Sequence, residues 1–127
     1  MVGIVLVSHS PKLAAGLADL LAAIGSPEVA VVLAAGTEDG RLGTSPDAVR
    51  AAVQSADRGD GVVVLPDLGS AVLSVKVALE EADPERQVLV DAPFVEGAVA
   101  AAVTAAGGAS VAEVAEAARG ARDVPKF

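Results

Sequence analysis

Short continuous runs of apolar residues recur along the chain, and each run ends abruptly at polar or turn-forming residues. Uninterrupted apolar runs rich in valine are typical of strands that are buried on both faces of a parallel sheet. The pattern predicts four such strands, at residues 2–7, 29–33, 61–65 and 88–90. The predicted sheet is therefore covered on both faces.

Between these runs, apolar residues return at spacings of three and four, which is the period of an amphipathic helix. Three helix starts carry recognisable signals: Pro11 in a first turn, Ser45 followed by Pro46, and a capping box formed by Ser110 and Glu113. The pattern as a whole predicts helices at residues 12–24, 46–56, 70–82, 95–106 and 111–119.

Strand and helix alternate four times, which predicts a single α/β domain over residues 1–127 with a mostly parallel sheet and helices on both faces. We expect residues 121–127 to be a loosely held tail. For a flavodoxin-like strand order of 2-1-3-4, the order reverses between the first and third strands. Reaction sites in such folds lie at the carboxyl ends of the strands beside this reversal.

His9, the only histidine in the chain, and Asp67 each come two residues after the last residue of a predicted strand, the first and the third. Because these strands are neighbours in the predicted sheet, we expect the two side chains to lie within reach of each other. A carboxylate that accepts one imidazole N–H leaves the other ring nitrogen as a base or nucleophile. The alternative is that His9 only ends a strand and Asp67 only caps a helix.

Small polar residues surround this predicted pair. Ser8 and Ser10 flank the histidine, and Gly69 and Ser70 follow the aspartate closely. Hydroxyl groups and the N–H groups of a helix start are suitable donors to an anion, so these residues are candidates for binding a phosphoryl group. Turn and helix capping explains each serine, taken singly, at least as well.

Three other kinds of site do not fit the motifs. A receiver-type phosphoacceptor would need an acidic pair after the first strand, where this chain has Ser8 and His9. A Ser-His-Asp hydrolase would need a G-x-S-x-G elbow, and a P-loop would need G-K-[ST] in the glycine-rich segment 35–44. The glycines of that segment either only permit turns or bring the loop close to His9, and both interpretations stay open.

Composition narrows the function further. Nine Lys and Arg against 17 Asp and Glu give a net charge of −8, which disfavours nucleic acid and anionic membranes and suits a basic protein partner. The chain has two aromatic residues and no cysteine, so base stacking and disulfides are not expected, and a zinc site or other cofactor is not expected either. The first apolar run is too short for a signal peptide or membrane span, and we expect a cytoplasmic protein.

The motifs VSHS, AAG…GTS, DLGSA and DAPFVEGAVAA together resemble the phosphotransfer subunit of the phosphoenolpyruvate-dependent dihydroxyacetone kinase. That subunit is similar to the mannose-type IIA domains of the bacterial sugar phosphotransferase system. The resemblance covers nearly the whole chain, and the VEGA segment favours the dihydroxyacetone branch over the sugar-transport branch.

The resemblance implies a phosphotransferase subunit in which His9 is phosphorylated and Asp67 orients it. The phosphoryl group comes from the phosphocarrier protein HPr and passes to ADP bound in a separate kinase subunit, which phosphorylates dihydroxyacetone. Because the sequence ends at residue 127, we expect the donor to be a separate protein, and family members are homodimers. The alternatives are a IIA component of a sugar permease and a non-catalytic regulatory module in which His9 is structural.

Overall fold

The computed structural model describes residues 1–37 and 39–127. Over these residues one parallel sheet contains four strands: β1 (Gly3–Ser8), β2 (Val31–Ala35), β3 (Val62–Pro66) and β4 (Gln87–Leu89). Their order is β2-β1-β3-β4, so the predicted topology is confirmed. The two strands beside the reversal, β1 and β3, are neighbours at the centre of the sheet.

Five α-helices and one short 3-10 helix occur in the described part of the chain. They are α1 (Pro11–Ile24), α2 (Pro46–Ala56), α3 (Gly69–Ala78), α4 (Phe94–Ala106), α5 (Val111–Gly120) and the 3-10 helix Ala121–Asp123. Apolar residues of α1, α4 and α5 pack on one face of the sheet, and those of α2 and α3 pack on the other. The predicted layers, with helices on both faces, are therefore confirmed.

The central strand β1 shows why the apolar runs are continuous. Ile4 and Leu6 belong to the core under α1, α4 and α5, whereas Val5 and Val7 belong to the core under α2 and α3. All four are completely buried, because successive side chains of a strand point to opposite faces and both faces are covered.

The predicted helix starts are present. The Ser10 hydroxyl accepts a hydrogen bond from the Leu13 N–H, with Pro11 at the first helical position. At the start of α5, Ser110 and Glu113 form the predicted capping box, in which each side chain bonds the other residue's backbone N–H. These contacts satisfy N–H groups that a helix start would otherwise leave free.

Some predicted boundaries are wrong. The second strand lies at Val31–Ala35 and not at residues 29–33, because its parallel register pairs Ile4 with Val31 and Ser8 with Ala35. Helix α3 ends at Ala78, four residues before its predicted end. Ala35 thus belongs to β2, and the glycine-rich loop is residues 36–44, of which residue 38 lies outside the described residues.

The carboxyl-terminal segment makes more contacts than the sequence predicts. Arg122 donates to the backbone carbonyl of Asp91 at 2.5 Å and pairs with its carboxylate at 3.0 Å, and Lys126 pairs with Glu96 at 3.4 Å. The segment therefore lies against the connection between β4 and α4. Within residues 1–37 and 39–127, no helix has both the length and the apolar character needed to cross a membrane.

Candidate active site

The carboxyl ends of β1 and β3 bring His9 and Asp67 together. Strand pairing continues past the end of β3, where the Asp67 N–H donates to the Val7 carbonyl at 2.9 Å. Nδ1 of His9 and Oδ1 of Asp67 lie 2.9 Å apart. The structure thus places the two predicted residues in direct contact across 58 residues of sequence.

Asp67 accepts hydrogen bonds from several donors. Oδ2 accepts from the His9 backbone N–H and from the Ser8 hydroxyl, each at 3.0 Å, and Oδ1 also accepts from the Leu68 N–H at 2.7 Å. Burial acts to raise the pKa of Asp67, but these donors and the imidazole outweigh burial and hold the pKa below its ordinary value. The carboxylate is therefore ionised at neutral pH.

An ionised Asp67 determines which imidazole nitrogen carries the proton. In the tautomer that it favours, Nδ1 carries the proton and donates to the carboxylate, and Nε2 keeps its lone pair. Ser70 Oγ lies 2.8 Å from Nε2 and donates to it in this tautomer. The imidazole is 27% exposed, whereas the Asp67 side chain is 6% exposed. The imidazole is thus partly accessible to a partner molecule, whereas the supporting carboxylate is nearly buried.

The two serines beside the histidine shape the turn. Ser8 is completely buried, and its hydroxyl donates to Asp67 and accepts from the Ser10 N–H at 3.1 Å. Contact between a bound phosphoryl group and the Ser8 hydroxyl, as the sequence suggests, does not fit this burial. The Ser10 hydroxyl caps α1. The two side chains thus support the local structure on either side of His9.

Gly69 and Ser70 occupy a different position, at the exposed start of α3. The preceding residue, Leu68, makes no side-chain hydrogen bond to the first turn of this helix. A helix start without a side-chain cap has N–H groups that suit an anion. Ser70 contacts the site directly, because its Oγ lies 2.8 Å from Nε2 of His9.

A family comparison agrees with this arrangement. The model of the EIIA-man family, described as the PTS system fructose IIA component, matches residues 3–115. The chain belongs to the EIIA-man family. The matched range includes β1, β3 and α3, the elements that carry His9, Asp67 and Ser70 to the site.

Named relatives of this EIIA-man chain include phosphoryl donor subunits. It is 39% identical over 106 residues to the phosphoryl donor subunit DhaM of PEP-dependent dihydroxyacetone kinase 2 of Listeria innocua, covering 81% of this chain and 85% of that protein. It is 40% identical over 117 residues to the corresponding DhaM subunit of Escherichia coli, covering 87% of this chain and 25% of that protein. The EIIA-man chain thus spans about a quarter of the longer relative.

A solved structure has the same fold as this EIIA-man chain. The crystal structure of a protein of unknown function, EF1359, superposes with a TM-score of 0.83 at 34% sequence identity. The superposition covers 94% of each chain. The similarity therefore includes the whole sheet and the helices on both of its faces.

The glycine-rich loop of this EIIA-man chain contacts His9, one of the two possibilities that the sequence leaves open. The Gly36 N–H donates to the Ser8 carbonyl at 3.1 Å, and the Gly43 N–H donates to the His9 carbonyl at 2.9 Å. Gly36 has a φ of +76°, and a Cβ there would lie 2.9 Å from Cγ of Pro11. Both a left-handed backbone and a close approach therefore require glycine at this position.

Two charged residues in the described part of the loop pair with each other. Arg41 pairs with Asp39 at 3.2 Å, and its side chain is 83% exposed. Among the residues that the structure describes, no group of three or more histidine, aspartate or glutamate side chains is placed to hold a metal ion.

Proposed function

We propose that this protein is a phosphohistidine carrier. His9 accepts a phosphoryl group from HPr and passes it to ADP bound in a separate dihydroxyacetone kinase subunit, so that dihydroxyacetone is phosphorylated at the expense of phosphoenolpyruvate. The observation that carries this proposal is the contact of Nδ1 with Asp67, which leaves Nε2 of the partly exposed imidazole as the nucleophile. The names of the DhaM relatives, which are phosphoryl donor subunits, support it.

The proposed transfer is a displacement at phosphorus. The Nε2 lone pair forms a bond to the phosphorus of the phosphorylated donor, while the bond from phosphorus to the donor breaks and its electron pair returns to the donor atom. The phosphorylated imidazole is positively charged with its proton still on Nδ1. The carboxylate of Asp67, 2.9 Å from Nδ1, offsets that charge. Transfer to ADP is the same displacement with the phosphoryl group leaving Nε2.

We assign separate roles to the smaller residues. Ser70 exchanges its hydrogen bond to Nε2 for one to a phosphoryl oxygen, and the N–H groups of Gly69 and Ser70 at the start of α3 donate to the same group. Ser8 and Ser10 hold the turn and the helix start that carry His9. This division places direct phosphoryl contacts on α3 and support on β1 and α1.

The proposal includes the partners and the setting. The chain is a carrier subunit, the substrate being bound and phosphorylated by the separate kinase subunit, and it acts as a homodimer in the cytoplasm. The imidazole is partly exposed at the rim of the sheet. This position suits contact with two protein partners in succession better than it suits enclosure of a small substrate. The net charge of −8 suits a basic donor surface.

Labelling tests the first half of the proposal. The protein is incubated with radiolabelled phosphoenolpyruvate, the enzyme that phosphorylates HPr, and HPr. We expect a label that is labile in acid and stable in base, as a phosphohistidine is, and no label on His9→Ala. Ser26→Ala, in the connection after α1, is the control and is expected to be labelled like the wild type. Label that survives His9→Ala contradicts the proposal.

The choice of phosphoryl acceptor tests the second half of the proposal, the transfer from His9 to ADP in the kinase subunit. The isolated phosphoprotein is mixed either with the ADP-loaded kinase subunit and dihydroxyacetone or with the IIB domain of a sugar permease. Formation of dihydroxyacetone phosphate supports the proposed pathway. Transfer only to the IIB domain would assign the protein to sugar transport.

Sedimentation of the unlabelled protein tests the proposed homodimer. A monomer at micromolar concentration contradicts that part of the proposal.

A further inference from the structure

The hydroxyl groups of Thr44 and Ser74 join the glycine-rich loop to α3. Thr44 Oγ1 and Ser74 Oγ lie 2.6 Å apart, and both residues are half-buried. Thr44 is the last residue of the loop, and Ser74 lies in the second turn of α3. The contact spans 30 residues of sequence and belongs neither to the sheet nor to a helix cap.

This hydrogen bond connects two segments that each contact His9. Thr44 directly follows Gly43, whose N–H donates to the His9 carbonyl at 2.9 Å. Ser74 lies four residues after Ser70 and thus on the same face of α3, and Ser70 Oγ is 2.8 Å from Nε2. The Thr44–Ser74 bond therefore links the loop segment that contacts the His9 backbone to the helix that contacts the His9 imidazole.

The start of α3 needs such a connection. Ala71 and Val75 fix one side of the helix in the core, but Gly69 and Ser70 are exposed, and Leu68 supplies no side-chain cap. The Thr44–Ser74 hydrogen bond joins α3 to the glycine-rich loop through side chains, and it involves neither His9 nor Asp67. It restrains the face of α3 that carries Ser70.

We infer that Thr44 and Ser74 are positioning residues for phosphoryl transfer: their hydrogen bond holds α3 against the glycine-rich loop and thereby keeps the Ser70 hydroxyl on Nε2 of His9. They do not touch the phosphoryl group and act through Ser70. The kinetic part of this inference rests on the proposed function. The placement of Ser70 against Nε2 does not depend on the proposed function, so placement and kinetics are tested separately.

The spectroscopic test uses the ¹⁵N resonance of Nε2, which responds to hydrogen bonding at that atom. We expect Thr44→Val, which keeps the shape of the side chain and removes its hydroxyl, to shift this resonance in the direction in which Ser70→Ala shifts it. Thr44→Ser restores the hydroxyl and is expected to restore the resonance. Thr104→Val is the matched control, because the Thr104 hydroxyl donates to the Ala100 carbonyl within its own helix, α4. An unchanged resonance in Thr44→Val overturns the inference whether or not the protein transfers phosphate.

The kinetic test is a double-mutant cycle with phosphorylated HPr as donor. We expect Thr44→Val and Ser74→Ala each to lower kcat about three- to ten-fold, the effect of losing one hydrogen bond, with KM within two-fold. In a Ser70→Ala background, the same changes are expected to lower kcat by less than two-fold, because the residue through which they act is gone. Equal losses in both backgrounds, or no loss in either, overturn the inference. Failure of the wild type to accept label is instead a failure of the proposed function.

Discussion

At the scale of single residues, His9 and Asp67 divide the chemistry of the site. The carboxylate accepts from the His9 backbone, the His9 ring, the Ser8 hydroxyl and the Leu68 N–H, so its orientation is defined by donors on both sides of it. The imidazole is held at Nδ1, and its side chain is partly exposed. In the proposed function, Asp67 is consequently the fixed anion and His9 the nucleophile.

Asp67→Asn removes the charge that offsets a phosphorylated imidazole, and its NH₂ group must occupy a position where a carboxylate oxygen now accepts. We expect the rate of His9 phosphorylation by HPr to fall about ten- to a hundred-fold, as when an orienting carboxylate is lost from other histidines. Rapid-quench measurement of label uptake checks this, with circular dichroism to confirm the fold. A wild-type rate in Asp67→Asn contradicts the role that we assign to the carboxylate.

The lowered pKa of Asp67 also predicts how stability depends on pH. The pKa of Asp67 in the folded protein is below the ordinary value of 3.8, so the unfolded chain takes up this proton at a higher pH than the folded protein does. The contribution of the carboxylate is complete above the unfolded pKa and is lost as the pH falls through the folded pKa. We expect the free energy of unfolding to fall from about pH 5 to about pH 2, and to fall less in Asp67→Asn. Urea titrations across this range check it, and identical slopes for both proteins refute it.

At the scale of elements, the site depends on how closely strands, helices and loops approach one another. Strand β1 leads directly to His9 and packs against α2. Gly3 allows the backbones of β1 and α2 to come close together. A Cβ at Gly3 would lie 2.2 Å from the carbonyl oxygen of Ala56 and 2.9 Å from its carbonyl carbon. A side chain there would have to displace the end of α2 from the sheet.

Gly3→Ala and Gly16→Ala form a matched pair that tests this packing. Gly3→Ala forces backbone apart in a close-packed core, and we expect it to lower the free energy of unfolding by about 1–3 kcal/mol. Gly16 lies on the exposed face of α1, where a Cβ would have no neighbouring atom within 4 Å, so Gly16→Ala is expected to raise it by about 0.5–1 kcal/mol. Thermal and urea unfolding measure both. A neutral Gly3→Ala would mean that α2 shifts at no cost.

The elements also show what the sequence can and cannot predict. Apolar spacing and helix-capping residues are local signals, so the first identified all four strands and the second the starts of α1, α2 and α5. The position of β2 was two residues in error because the apolar run covers residues 29–35, whereas the register with β1 takes in only Val31–Ala35, and pairing alone defines the strand. The burial of Ser8 was missed because the sequence does not show whether a serine at the end of a strand points to solvent or to Asp67.

At the scale of the whole molecule, the acidic surface bears on how partners meet the site. Arg41 and Lys12 lie on the elements beside His9, but the chain as a whole has a net charge of −8. Attraction between this charge and a basic partner would guide the two proteins together before any contact at Nε2. The transfer itself takes place inside the complex, between groups in direct contact.

This separation predicts a specific dependence on salt. As the concentration of NaCl rises from about 0.05 M to about 0.5 M, we expect the KM for phosphorylated HPr to rise several-fold, because screening weakens the attraction between the two surfaces. We expect kcat to change by less than two-fold. Steady-state label transfer at a series of salt concentrations measures both quantities. A KM that does not respond to salt would show that the acidic surface has no part in docking the donor.

The sequence alone determined the α/β class, the alternation of strands and helices, and the meeting of His9 with Asp67, because these follow from local apolar spacing and from the rule that places sites at a reversal of strand order. The tertiary structure decided that Nε2 faces outward, that Ser8 turns inward, and that Thr44 meets Ser74. These features depend on how side chains rotate and how segments 30 to 61 residues apart come into register. No short stretch of sequence contains that information, because each contact is formed only when the sheet and the helices have packed.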